Sequence, residues 1–83
     1  MNAKLNTVNV IEVINGNLQS IQSFSETPVG NADATRVFET CVKENSPTIF
    51  ADDLLALSED GTFEDGNGYC VWLSHSVDHC KIN

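Results

Sequence analysis

Positive charge is what this chain has least of. Its 83 residues hold four Lys or Arg against twelve Asp or Glu, for a formal charge of −8 and a sequence pI near 4.3. That scarcity argues against direct binding to nucleic acid or to an anionic membrane, since both depend on Lys and Arg neutralising phosphates. Long apolar runs are also missing. No stretch approaches the ~20 residues that span a bilayer, and no continuous apolar segment follows Lys4 as it would in a secretory signal. The expectation is a soluble, cytoplasmic protein. Cysteine is limited to Cys41, Cys70 and Cys80, an odd number at irregular spacing, which suits reduced thiols better than a disulfide framework. The short length excludes several domains, so residues 1–83 are expected to form one compact unit whose small core disfavours a multi-step enzyme. A hydrophobic content of 41% is nonetheless too rich for a disordered tail, so the chain should fold.

What is present reads as a few short elements without an internal repeat. Thr7 to Ile14 is dense in β-branched residues and predicts a strand. Asn15-Gly16 supplies the positive φ angles of a tight hairpin, which makes Leu18 to Phe24 the return strand. Leu18, Ile21 and Phe24 recur every third residue, a spacing that points to a bulge. Ser25 to Gly30 has loop chemistry. A helix is expected from Asn31 as its cap, with Ala34, Val37, Phe38, Cys41 and Val42 on one stripe and a stop at Asn45-Ser46-Pro47. A second helix should cover Asp52 to Glu59, with Leu54 and Leu57 inward, the two aspartates in its first turn and Gly61 as its stop. Thr62 to Asp65, a turn at Gly66-Asn67-Gly68, and Tyr69 to Ser74 form a second hairpin in which Tyr69, Val71 and Leu73 share a face opposite Cys70 and Trp72. Residues 75–83 read as a polar, frayed tail. The expected architecture is α+β in the order ββααββ, with two helices packed on one face of an antiparallel sheet. Few lysines guard the sheet edges, which leaves homodimerisation through a strand edge open.

No constellation in the sequence defines a reaction. Cys70-x4-His75-x4-Cys80, with His79 beside it, resembles the last three ligands of a retroviral-type zinc knuckle over eleven residues. The position of the knuckle's first cysteine is Asn67, and Val71, Trp72 and Leu73 give the segment the character of a strand. A zinc site using Cys70, His75, His79 and Cys80 is the alternative reading; packing is the ordinary one for Cys70. Ser74, His75, Ser76 and Asp78 hold the ingredients of nucleophilic catalysis but run from a strand into the tail, away from any rigid scaffold. Cys41 falls on the apolar stripe of the first helix and reads as core. Between Asp60 and Gly68 the acidic and glycine residues do not match the ligand spacing of an EF-hand. No cofactor and no catalytic residue is therefore assigned.

The remaining lead is where the charge lies. Residues 1–43 carry four acids and three bases, whereas residues 44–83 carry eight acids and one base, so seven of the eight net charges follow Lys43. Asp52, Asp53, Glu59, Asp60, Glu64 and Asp65 bracket the second helix and the second hairpin. A solubility device is one reading of this half. The functional reading is an acidic face docking on a basic or nucleic-acid-binding protein, steered by long-range attraction and weakened by salt. In its sharpest form the carboxylates imitate a phosphate backbone, with Trp72 as an aromatic anchor. In size, charge and layout the chain is similar to small acidic inhibitors, among them phage-borne anti-CRISPR and other anti-defence proteins. That similarity is one of type, and it implies a non-catalytic inhibitor.

Overall fold

A computed structural model describes residues 4–79. The elements follow the expected order: β1 (Lys4–Ile14), β2 (Asn17–Ser25), α1 (Pro28–Asn45), α2 (Ala51–Asp60), β3 (Thr62–Glu64) and β4 (Tyr69–His79). They build one antiparallel sheet in the strand order β2-β1-β4-β3. The fold is α+β, with both helices on one face of the sheet. Asn15 at φ 52° and Gly16 at φ 80° make the two-residue turn between β1 and β2, the geometry that matches the twist of the flanking strands.

The core lies between the helices and one side of the sheet. Val8 and Val10 of β1 and Tyr69 and Val71 of β4 meet Ala34, Phe38, Cys41 and Val42 of α1 and Leu54 of α2. Alternation on β1 and a 3.6-residue period on α1 place these residues on facing surfaces. Gly61 ends α2 in the left-handed region at φ 75°, its N–H bonded to the Leu57 carbonyl, as a helix-terminating glycine does.

Three boundaries differ from expectation. Helix α1 begins at Pro28, with Thr27 as its cap: the Thr27 Oγ1 accepts from the Gly30 N–H at 3.0 Å. Threonine caps as asparagine does, and proline is tolerated in the first turn because its missing N–H would have no partner there. Asn31 is thus inside the helix, and Asp33 lies beyond the first turn, paired with Arg36 at 3.0 Å. Second, the polar segment 75–79 does not leave the sheet as a tail; it extends β4 alongside Lys4–Val8 of a longer β1. Backbone ladder bonds hold it without an apolar alternation that the sequence would display. Residues 80–83, the rest of the expected tail, lie outside the described residues. Third, β3 stops at Glu64, because Asp65 turns the chain.

The bulge falls at Gln19. Glu12 pairs with Ser20 and Val13 with Leu18, so Gln19 has no partner on β1. An extra residue reverses the parity of the strand. Leu18 and Ile21, three apart, consequently share the face turned away from the helices, opposite Val13 and Ile11, while Phe24 packs against the core.

Candidate functional site

Helix α2 carries most of the acidic candidates. Leu54 is buried, Leu57 and Ser58 are half-buried, and the remaining positions face solvent. With 3.6 residues per turn, Asp52, Ala56 and Glu59 fall on the stripe opposite Leu54, flanked by Leu55 and Asp60, while Asp53 lies to one side. Asp52 and Glu59 are about 10 Å apart along the axis at ~1.5 Å per residue. Asp52 and Asp53 favour the positive end of the helix dipole. Glu59 and Asp60 oppose its negative end, with no basic residue in the last turn, a placement that costs about 0.3–1 kcal/mol per charge. Among the described residues Arg36 pairs with Asp33 and the His75 imidazole approaches Glu26, and no basic side chain among them pairs with the four α2 carboxylates. Phe50 and Leu55 in the same segment are 76% and 58% exposed.

Glu64 and Asp65 have different fates. Asp65 is committed to the β3–β4 turn, its Oδ1 accepting from the Asn67 N–H at 2.7 Å and the Tyr69 N–H at 3.0 Å. It serves the hairpin, and its charge is partly spent on two backbone donors. Glu64 lies beside Cys70, whose thiol donates to Oε2 at 3.5 Å. Burial and this carboxylate both push the Cys70 thiol up. A groove of about 490 Å³ along the β3 edge is lined by Leu57, Phe63, Glu64, Cys70 and Trp72 among others. Trp72 and Glu64 therefore meet at this edge, next to α2, whereas Asp52 and Asp53 sit at the far end of the helix.

The Cys/His cluster is divided by the strand. Cys70 and His75 are five residues apart on β4, and successive side chains alternate, so they fall on opposite faces. Cys70 meets Glu64, whereas His75 lines a cavity with Asn31, Thr35 and Ser58 and approaches Glu26 at 3.4 Å. A tetrahedral site joining the two is incompatible with a continuous β4. His79 closes that strand, and Cys80 lies outside the described residues. Among the described residues no group of three or more His, Cys, Asp or Glu is placed to hold a metal. Ser74 and His75 are likewise on opposite faces, so this hydroxyl and imidazole do not form a catalytic pair.

One polar constellation went unnoticed in the sequence. Glu12 lies on the helix side of β1, in line with Val8 and Val10. Its Oε1 accepts from the Ser20 hydroxyl at 2.6 Å and its Oε2 from the Tyr69 hydroxyl at 2.5 Å. Burial works to raise the Glu12 carboxyl, yet hydrogen bonds from Ser20, Tyr69 and Cys41 outweigh it and hold the group below its ordinary value. Burial pushes the Cys41 thiol up to about 11 and also raises the Tyr69 phenol, which the neighbouring Glu12 carboxylate raises further. A thiol this hard to ionise is a poor nucleophile. The network acts as a polar latch between β1, β2 and β4. The available signal was a carboxylate in the alternating apolar stripe of β1.

Two outcomes follow from the latch. Tyr69→Phe is expected to cost about 1.5–3 kcal/mol in chemical unfolding, the range for a hydrogen bond to a charged group. Because the folded Glu12 pKa is depressed, its stabilisation is present above the unfolded carboxyl value and is lost as pH falls through the folded value. Unfolding midpoints measured through the acidic range should therefore decline less steeply for Glu12→Gln than for the unaltered chain.

The chain matches no protein-family model, no curated protein and no solved structure. Among the described residues, no helix is long and apolar enough to cross a membrane.

Proposed function

We propose that this chain is a non-catalytic protein-binding module, an inhibitor that offers the acidic stripe of α2 to a basic surface of a nucleic-acid-binding protein. The observation that carries the reading is that Asp52, Asp53, Glu59 and Asp60 are all exposed on one helix and have no ion-pair partner among the described residues. A solubility device alone would favour charges where the helix dipole welcomes them; two of these four oppose it. Nor would such a device expose Phe50 and Leu55 among the carboxylates, whereas interfaces combine apolar contacts with a charged rim. The ~10 Å between Asp52 and Glu59 spans about three steps of a nucleic-acid strand at ~3.4 Å per step. Carboxylates at that spacing suit a surface built to grip phosphates. Glu64 and Trp72 share the β3-edge groove and lie on the sheet face turned away from the helices, so they stand apart from the stripe and the docking surface is α2 itself.

Reversal of Asp52, Asp53, Glu59 and Asp60 to lysine is the direct test. All four positions are exposed, so circular dichroism and the melting transition should stay close to those of the unaltered protein. Capture of a nucleic-acid enzyme from lysate at low salt should weaken by more than about tenfold. Equal capture by the folded variant would contradict the proposal.

A further inference from the structure

We infer that the face of the sheet turned away from the helices is a contact surface for a second copy of this chain, the two sheets packing face to face. Its register sets Ile21, Ile11, Trp72 and Thr62 in one row across the four strands and Leu18, Val13, Cys70 and Glu64 in the next. A polar row borders them, where the Ser23 hydroxyl donates to Asn9 Oδ1 at 2.6 Å and the Asn9 amide donates to the Ser74 carbonyl at 3.2 Å. Leu18 and Ile21 are 61% and 54% exposed. They reach this face together only because of the bulge at Gln19. Cα dimensions of 48 × 28 × 15 Å correspond to one sheet and one helix layer, and none of the described elements lies on the second side.

Charge selects the occupant. The chain carries −8, yet the two apolar rows hold a single charged residue, Glu64 at the β3 margin, and the other acid at this strand parity, Asp78, pairs with Leu5 at the far end of β4, beyond the polar row. A basic partner finds no complement at its centre. A second copy brings an equally uncharged apolar face and keeps both acidic helices on the outside of the pair. The area is sufficient. Strands of 11, 9, 3 and 11 residues, at ~3.4 Å per residue and ~4.8 Å between strands, cover roughly 550 Å² per copy. With complete overlap the pair buries about 1,100 Å², which clears the ~1,000 Å² minimum but falls short of the ~1,200–2,000 Å² of stable complexes, the size of a weak dimer. Aligned sheets ~10 Å apart in an isologous dimer are the corresponding geometry.

Trp72, the one tryptophan of the chain, lies within the proposed contact and reports on it directly. Sedimentation across the micromolar range should show a monomer passing to a dimer, with Trp72 emission moving to the blue over the same concentrations. High salt should preserve or strengthen the dimer, whereas it should weaken docking by α2, so the two interactions fail separately. The double variant Leu18→Lys/Ile21→Lys, at exposed positions, should keep its circular dichroism and weaken the dimer by at least about tenfold. A chain monomeric at every concentration would overturn the inference. So would a dimer whose Trp72 emission stays unchanged, which would instead mark pairing along the β2 edge. Should the lysine variant unfold, the emission of the unaltered chain still decides between these outcomes.

Discussion

Replacing Gly30 with alanine is expected to destabilise the protein by more than about 3 kcal/mol, the reverse of what the same change does in an ordinary helix. Gly30 lies in the first turn of α1, where alanine is the better helix former by about 0.8–1 kcal/mol. Here the helix enters directly from β2, and the Ser25 backbone runs across its first turn. A Cβ on Gly30 would overlap the Ser25 carbonyl oxygen and crowd the Ser25 carbonyl carbon. Those are backbone atoms, held by the β1–β2 ladder through the Thr7–Ser25 pair and by the Glu26 N–H bond to the Asn6 carbonyl at 2.9 Å. No side chain is available to move aside. Denaturant unfolding of Gly30→Ala measures the effect, and a variant as stable as the unaltered chain would mean that α1 enters the fold at a different angle.

The second large effect is at Phe38. Its side chain is fully enclosed at the centre of the core, with Val8, Val10, Val42 and Val71 also buried to 1% exposure or less. Phe38→Ala removes a ring from a space the neighbours cannot refill, a change that costs about 3–5 kcal/mol. Domains of this size hold only about 5–15 kcal/mol in total. The melting temperature should fall by roughly 12–40 °C, at about 4–8 °C per kcal/mol. A calorimetric scan of Phe38→Leu beside Phe38→Ala separates lost volume from lost aromaticity; the leucine variant should recover most of the loss.

The order of elements was readable because local chemistry and tertiary need agree at the turns. Asn15-Gly16 and Gly61 occupy positive φ angles that few other residues accept, so their effect does not wait on distant contacts. The stripe Ala34, Phe38, Cys41 and Val42 likewise predicts its own burial. The start of α1 was less legible, because Thr27 and Asn31 are both competent caps and only the crossing over Ser25 chooses between them. The extension of β4 was not legible at all. Ser74 to His79 carries no alternating apolar signal, and its strand state depends on a partner some seventy residues earlier in the chain.

The candidate site divides in the same way. Exposure of Asp52, Asp53, Glu59 and Asp60 follows from the period of α2, which Leu54 and Gly61 set in the sequence. The use of Asp65 by its own turn depends on hairpin geometry that composition does not encode. Separation of Cys70 from His75 required knowing that β4 continues past Ser74. The meeting of Glu12 with Tyr69 required the β1–β4 register, which only the assembled sheet provides.

In the proposed function, α2 substitutes for nucleic acid on a basic protein. Competition tests it most directly: the captured partner is challenged with double-stranded DNA of increasing concentration at fixed low salt. DNA should displace the protein completely and reciprocally, the chain displacing DNA from the same partner, with both exchanges lost in the Asp52, Asp53, Glu59 and Asp60 lysine variant. A partner that holds this protein and DNA at once, each with undiminished affinity, would contradict the claim.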